Sequence, residues 1–598
     1  MFDDYNGAMF GTKWKASERK YGVVVETDVK IRLPDGVKLS CDVFRPDSEG
    51  KYPAILGYHC YHQSGQTGPI KPGRNTTAWV RNPGEERTRA SLESGDPNFF
   101  VRRGYVHVLC NTRGTGKSEG KWDFTGPIEV QDAYEVIEWI ATQPWCDGNV
   151  GMFGISYFGW AQLFAATLNP PHLKAIFCPD AATDLYRDLC YSGGILIHRW
   201  LVGWSRSSLT YADCRPENHS KNELGEEGYR NAIAELLQND DIKYASELIP
   251  VLKDPEAGPN PFIMDVALHP FYDKFWEERT VNYEKIKVPA YIGASWVQYR
   301  IHLPAAFRSW EKLDVPKKML IYSELNLDRP LYQLQHEAVR WFDYWMKGID
   351  TGIMDEPPVR LLIRGTNEWK ESTDWPLPET KWTPFYLHED GLLFEHEHWP
   401  NEGSDSYEDS PWMRGSLKYA TPMLIENTEV VGPIMLKLYA STTDTEILWV
   451  VWLLEIDPQG KETVLTKGWL RGSHRELDMQ QSKPWEPIYT HAKSEPLTPG
   501  NIYEFNIKVV PTGTLFKAGS RIGLKISSVD EDQHPPYEAD TYSLTLRRTS
   551  PSRVTVFHNE DYPSYLLLPI TKGNILQTYL RMNVEGPKTY GELYSTKE

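Results

Sequence analysis

Apolar and polar positions change period twice along this chain. Residues 23–45 alternate in twos on either side of Pro34-Asp35-Gly36, which predicts a β-hairpin. Short continuous apolar runs follow at 52–58, 105–111, 149–153 and 174–179, the pattern of strands buried on both faces. Between them, Val130, Ala133, Val136, Ile137 and Ile140 repeat at helical spacing, and residues 129–143 are expected to form a helix. Strands alternating with helices predict a mostly parallel sheet covered on both faces. Residues 181–284 are mainly helical in pattern and read as an insertion, after which strands resume at 288–295 and 318–322 and an amphipathic helix spans 333–347. Beyond about residue 370 the helical period nearly vanishes. Runs at 382–387, 434–439, 448–453 and 521–526, separated by turn clusters, predict an antiparallel β-sandwich.

The stretch on which the first half converges is Gly151-Met152-Phe153-Gly154-Ile155-Ser156-Tyr157-Phe158-Gly159. A short apolar strand runs into a serine, and small or apolar residues then repeat at helical spacing. That is the layout of a nucleophile elbow, with glycines where the chain must reverse from strand to helix. The Ser156 hydroxyl would project beyond the sheet's carboxyl edge, and the Tyr157 N–H would face a developing oxyanion. Phe158 stands where the commonest elbow pentapeptide has its second glycine, and Gly159 follows one position later. Two further stretches leave strand ends in the same way: a polar, aromatic loop at 59–64, and the glycine-rich run 112–120. The latter ends in Gly116-Lys117-Ser118, but Asn111 occupies the position where a phosphate loop needs its first glycine, so nucleotide binding is not expected.

Composition narrows the function classes. Across 598 residues, 40% are apolar and 13% aromatic, ample for large cores. A formal charge of −18 disfavours polyanionic partners, so neither nucleic acid nor an anionic membrane surface is expected. Seven cysteines, all before residue 215 and without a CxxC pair, suit buried thiols in a reducing compartment. No apolar run is long enough to span a bilayer and no secretory signal is visible, which makes a cytoplasmic protein acting on a small molecule the expectation. No HExxH or clustered Cys/His spacing and no cofactor fingerprint appears, so no metal and no cofactor are expected. Oligomeric state is left open, a homo-oligomer included.

The elbow, the 112–120 loop, His269-Pro270-Phe271-Tyr272-Asp273, Trp341-Phe342-Asp343-Tyr344-Trp345, Gly468-Trp469-Leu470-Arg471-Gly472 and Pro563-Ser564-Tyr565-Leu566-Leu567 together resemble the family of cocaine esterase, α-amino acid ester hydrolases and X-prolyl dipeptidyl aminopeptidases. The resemblance implies an α/β-hydrolase core (1–180 and 285–370), a helical cap (181–284) and a C-terminal jelly-roll β-sandwich (371–598). It also implies cleavage of esters or amides through a Ser-His-Asp triad, with a tyrosine hydroxyl joining the serine-following N–H as oxyanion donor. That tyrosine corresponds to Tyr61.

The triad itself departs from the family. The expected Trp-x-Asp reads Trp296-Val297-Gln298, and Asn326 stands where the family's histidine belongs. Neither amide side chain accepts a proton near neutral pH. His302, shortly after the acid position, is the leading substitute base. His336, His59 and His62 are further candidates, and Glu324 and Asp328 are carboxylates near the vacated histidine position. Trp160 and Trp296 are candidate apolar walls for substrate. Three functional readings stay open: a serine hydrolase with a rearranged base, a non-hydrolytic enzyme (cyclisation, elimination or isomerisation) on the same scaffold, and a catalytically degenerate binding protein.

Overall fold

The computed structural model describes residues 16–63, 66, 93–243, 245–322, 331–366, 368–397, 403–410, 415–530 and 551–573. The chain divides into two compact units, one of residues 1–190 and 197–360, the other of 191–196 and 361–598.

In the first unit, β1 (Val23–Arg32) and β2 (Lys38–Pro46) form the expected hairpin. There follow β3 (Tyr52–His59), α1 (Pro97–Val101), β4 (Val106–Asn111), α2 (Pro127–Ala141), β5 (Cys146–Phe153), α3 (Tyr157–Ala166) and β6 (Leu173–Pro179). The cap segment holds α4 (His198–Trp204), α5 (His219–Leu236) and α6 (Asn260–Leu268). The core resumes with β7 (Ala290–Ser295), α7 (Leu303–Lys312), β8 (Lys317–Tyr322) and α8 (Tyr332–Lys347). Sheet order is β1-β2-β4-β3-β5-β6-β7-β8. The first two strands run antiparallel to their neighbours, and from β4 to β8 every pairing is parallel.

Local chemistry accounts for the helix starts. Asp96 caps α1 by accepting the Asn98 N–H at 2.9 Å, and Pro97 fills the first helical position, where no N–H is needed. Gly126 and Pro127 start α2 in the same way. Helix α3 is buried along its whole length, as a helix that packs on the central strands must be. The aromatic residues of the cap meet those of the loop after β4. Phe124 lies 4.5 Å from Phe262, and Trp122 lies 5.3 Å from Phe262 and 6.0 Å from Trp204, centroid to centroid. The stripe on α2 differs from its sequence reading. Ala133, Val136, Ile137 and Ile140 are buried as expected, but Val130 is only half-buried, and the core positions of the first turns are the carboxylates Glu129 and Asp132.

The second unit is β-rich, as its alternating runs require. Its 12-stranded sheet replaces two separate layers with one continuous path. Thr428–Thr442 pairs with Tyr503–Phe516 along one edge and with both Ser552–Asn559 and Tyr565–Lys572 along the other. Tyr565–Lys572 leads through Lys381–His388 and its successors back to Tyr503–Phe516, so the sheet closes on itself like a barrel. The inward residues form one core around Trp449, Leu436, Phe505, Ile507 and Leu566. The unit also takes in the hairpin Tyr191–Ser192 and Ile195–Leu196, which the helical pattern of 181–284 does not announce. The Gly193 carbonyl accepts the Arg471 N–H at 2.8 Å, and a Cβ on Gly194 would stand 2.5 Å from the His474 ring nitrogen.

Candidate active site

Five segments of the first unit leave the carboxyl ends of adjacent strands: the loop carrying Tyr61 after β3, Asn111 at the end of β4, Ser156 after β5, Asp180 after β6, and the turn Trp296–Gln298 after β7. Open α/β sheets bind their ligands beyond this edge.

Ser156 has φ 57° and ψ −123°, a conformation that non-glycine residues avoid and that a surrounding structure must impose. Its backbone N–H donates to the Asp180 carbonyl at 3.0 Å, and the preceding Ile155 N–H donates to the Glu93 carbonyl at 2.9 Å. The glycines are required by contact as well as by dihedral. A Cβ on Gly154 (φ 149°) would lie 2.4 Å from the Phe158 Cβ, and one on Gly159 would lie 2.7 Å from the Pro179 carbonyl. Gln162, fully buried, donates to the carbonyls of Gly154 and Phe158 and accepts the Phe177 N–H, each at 3.0 Å. From Val150 to Ala166, Ser156 is the one residue that is not buried. The fold thus strains this position and leaves only its side chain facing outward. As the first helical residue, Tyr157 has no intrahelical acceptor for its N–H.

Tyr61 is half-buried, its ring 6.1 Å from that of Tyr157 and edge-on to it. Its carbonyl accepts the Asn111 amide at 2.6 Å, which ties the loop to the end of β4. His59 is fully buried and stacks on Phe158 at 4.6 Å. Burial pushes its pKa down to about 3, so the ring is neutral and serves packing. His62 packs against Tyr211 in the cap, and His336 edge-on against Phe99.

His302 takes a different position. It caps α7, is 4% exposed, and its Nδ1 lies 3.2 Å from the Ala181 carbonyl. A carbonyl can only accept, so in the neutral ring Nδ1 carries the proton and Nε2 the lone pair. Ala181 directly follows Asp180, whose carbonyl holds the Ser156 N–H. His302 also lies 6.4 Å from the ring of Trp160, one helical turn beyond Ser156. Gln298 is half-buried at the end of its turn and its carbonyl accepts the His302 N–H at 3.0 Å. Asn326, Glu324 and Asp328 lie outside the described residues. Trp160 and Trp296 are each 1% exposed, and the Trp160 indole N–H donates to the Thr125 hydroxyl at 3.0 Å.

Sequence reasoning missed two residues that shape this region. Asp180 joins the two sides: its carbonyl accepts from Ser156, and its carboxylate accepts the Ser295 N–H at 3.0 Å. Glu129, buried under α3, accepts the Tyr157 hydroxyl. The visible signal for Glu129 was a carboxylate falling in step with an apolar helical stripe. The 112–120 loop is held internally. Gly114 and Gly116 donate their N–H groups to the Glu119 and Ala212 carbonyls, and Arg113 grips Asp132 through two nitrogens and Asp35 through one. Among the described residues no cluster of three or more His, Cys, Asp or Glu side chains forms a metal-binding group, and no helix is long and apolar enough to cross a membrane.

A strained serine at the carboxyl end of a central parallel strand, entering a buried helix, defines an α/β-hydrolase of the serine-hydrolase type. Residues 35–324 match the X-Pro dipeptidyl-peptidase (S15) family, and residues 351–567 match the X-Pro dipeptidyl-peptidase C-terminal non-catalytic domain. The chain belongs to this family, which takes in cocaine esterase. It is 28% identical over 622 residues to the cocaine esterase of Rhodococcus sp. (strain MB1 Bresler), covering 92% of this chain and 99% of that one. A CocE/NonD family hydrolase from Staphylococcus aureus superposes with a TM-score of 0.74 at 25% identity, covering 92% of this chain and 94% of that one. An α-amino acid ester hydrolase shares the fold with a TM-score of 0.70 at 19% identity, over 94% and 98% of the two chains.

Proposed function

We propose that this protein hydrolyses an ester or amide bond of a small molecule through Ser156, with His302 as the general base in place of the family's histidine. The observation that carries the reading is the strained elbow, with φ 57° at a serine that alone stays outward among buried neighbours. In this scheme His302 Nε2 takes the Ser156 proton as the hydroxyl oxygen attacks the substrate carbonyl, and the Ala181 carbonyl holds the ring in that tautomer. The Tyr157 N–H and the Tyr61 hydroxyl bind the oxyanion. Protonated His302 then gives its proton to the leaving group, and water resolves the acyl-enzyme by the same steps. Gln298 and Asn326 occupy the vacated acid and base positions and orient substrate rather than move protons, with Trp160 and Trp296 backing the site as apolar surface. The burial of all seven cysteines as free thiols supports a cytoplasmic setting.

Gln298 favours a second reading. Without a carboxylate behind the imidazole, the same serine and oxyanion donors would polarise a carbonyl for cyclisation, elimination or isomerisation. One experiment separates the two. A fluorophosphonate probe should add once to the wild-type protein, at Ser156 by intact mass and peptide mapping, and turnover of nitrophenyl esters should vanish in Ser156→Ala. A wild-type protein that forms no adduct, with turnover unchanged in Ser156→Ala, rules out the hydrolytic reading.

A further inference from the structure

Beneath the elbow lies a carboxylate for which acyl transfer leaves no direct task. Glu129 is 2% exposed on the first turn of α2. One of its oxygens accepts the Tyr157 hydroxyl, and the other accepts the Thr125 N–H at 3.0 Å. The Tyr157 oxygen in turn accepts the Trp122 indole N–H at 2.9 Å. Thr125 is doubly engaged, since its hydroxyl accepts the Trp160 indole N–H. The loop supplying these groups is itself bent: Phe124 and Thr125 have φ 47° and 58°, a region non-glycine residues avoid. Both aromatic side chains on the first turn of α3 are thus fastened by one short loop and one carboxylate.

Such a group is costly to bury. Burial pushes the Glu129 pKa up to about 8, Asp123 and Asp132 add to the rise, and the bonds from Tyr157 and Thr125 oppose it. An apolar residue would fill this core position with less penalty, so a carboxylate here points to what it holds. What it holds is the residue bearing one oxyanion donor on its backbone. The ring of that residue stands edge-on to Tyr61, the source of the other donor.

Resting on the reading of Ser156 as nucleophile, we propose that Glu129 is a positioning residue for the oxyanion hole: by anchoring the Tyr157 hydroxyl it sets the first turn of α3, and so the direction of the Tyr157 N–H and the seat of the Tyr61 ring. The charge on Glu129 does not act on substrate. It acts through a hydrogen bond, and a misplacement of donors by about 1 Å costs on the order of 10²-fold in rate.

The test measures fluorophosphonate labelling rate at Ser156, and kcat and KM for a nitrophenyl ester, in wild type, Glu129→Ala, Glu129→Gln, Tyr157→Phe and the Glu129→Ala/Tyr157→Phe double variant, each checked for folding by thermal melt. Glu129→Ala should lower kcat and the labelling rate by roughly 10- to 100-fold with KM within about twofold, and Glu129→Gln, which keeps one acceptor, should recover part of the loss. Tyr157→Phe removes the same bond from the other side, so the double variant should be no slower than the worse single variant. Equal labelling rates in wild type and Glu129→Ala overturn the proposal while leaving Ser156 as nucleophile, and so do multiplicative losses in the double variant. Absence of labelling in the wild type overturns both readings. If Glu129→Ala does not fold, Tyr157→Phe decides: an unchanged labelling rate there overturns the proposal.

Discussion

The two sides of the candidate centre are held in different ways. On the nucleophile side, the backbone of Ile155, Ser156 and Phe177 and the side chains of Gln162, Tyr157 and Trp160 all have assigned partners. On the other side, the turn Trp296–Gln298 ends in an amide where the family has a carboxylate, and the base is a histidine tied to a backbone carbonyl. A carbonyl fixes a tautomer as well as a carboxylate does, but it adds no negative charge to stabilise the imidazolium that forms. The comparison teaches that orientation and charge, which a triad's acid supplies together, are separable. Here the orientation is retained and the charge is missing. A slow hydrolase with an intact oxyanion site is the expected product of that separation.

The sharpest way to break this comparison is to remove the imidazole. His302→Gln should lower kcat by on the order of 10³-fold or more, with the serine still in place, as measured by single-turnover acylation. Retention of wild-type kcat would reassign the base. Next in size is the loss of one oxyanion donor. Tyr61→Phe should cost about 10²-fold in kcat with little change in KM, read from steady-state kinetics of an activated ester.

A smaller effect follows from Glu129. Its pKa rises from 4.5 to about 8 on folding, so between those values the folded state binds more protons than the unfolded one. Its contribution to stability is therefore greatest below about pH 4.5 and is lost as pH rises toward 8. Glu129→Gln should flatten that part of the stability profile, shifting the urea midpoint difference between pH 5 and pH 8 by the equivalent of a few kcal/mol. Smallest of all should be Asp180→Asn, which keeps an acceptor for the Ser295 N–H and should melt within a few degrees of wild type. Asp180→Ala leaves that buried N–H without its partner and should cost about 1–3 kcal/mol by chemical denaturation.

Much of the first unit was legible because its signals are local. The hairpin around Pro34-Asp35-Gly36, the buried strand runs and the elbow glycines each carry their own pattern, and each element lies where that pattern puts it. What stayed hidden acts across long sequence distances or against the pattern. Asp180 works through its backbone carbonyl and through a bond to a residue 115 positions away, and neither leaves a periodic trace. Glu129 interrupts an apolar stripe and so reads as a polar exception, until Tyr157 is seen above it. In the second unit, alternation announced strands, but closure depends on one 15-residue strand, Thr428–Thr442, pairing with two others on the same edge. Strand spacing alone does not encode that choice.

The hairpin of residues 191–196 has a practical consequence for dissecting this chain. It belongs to the second unit yet is encoded some 170 residues before the rest of it. A C-terminal fragment cut at Leu361 would therefore be born incomplete, with the Arg471 amide missing its acceptor and a gap beside His474 where Gly194 fits. Nascent chains face the same delay, since this unit cannot finish assembling until segments far apart in translation have met, a slow, high-contact-order step. Supplying the hairpin in trans, or grafting it onto the fragment, is the route to an autonomous β unit.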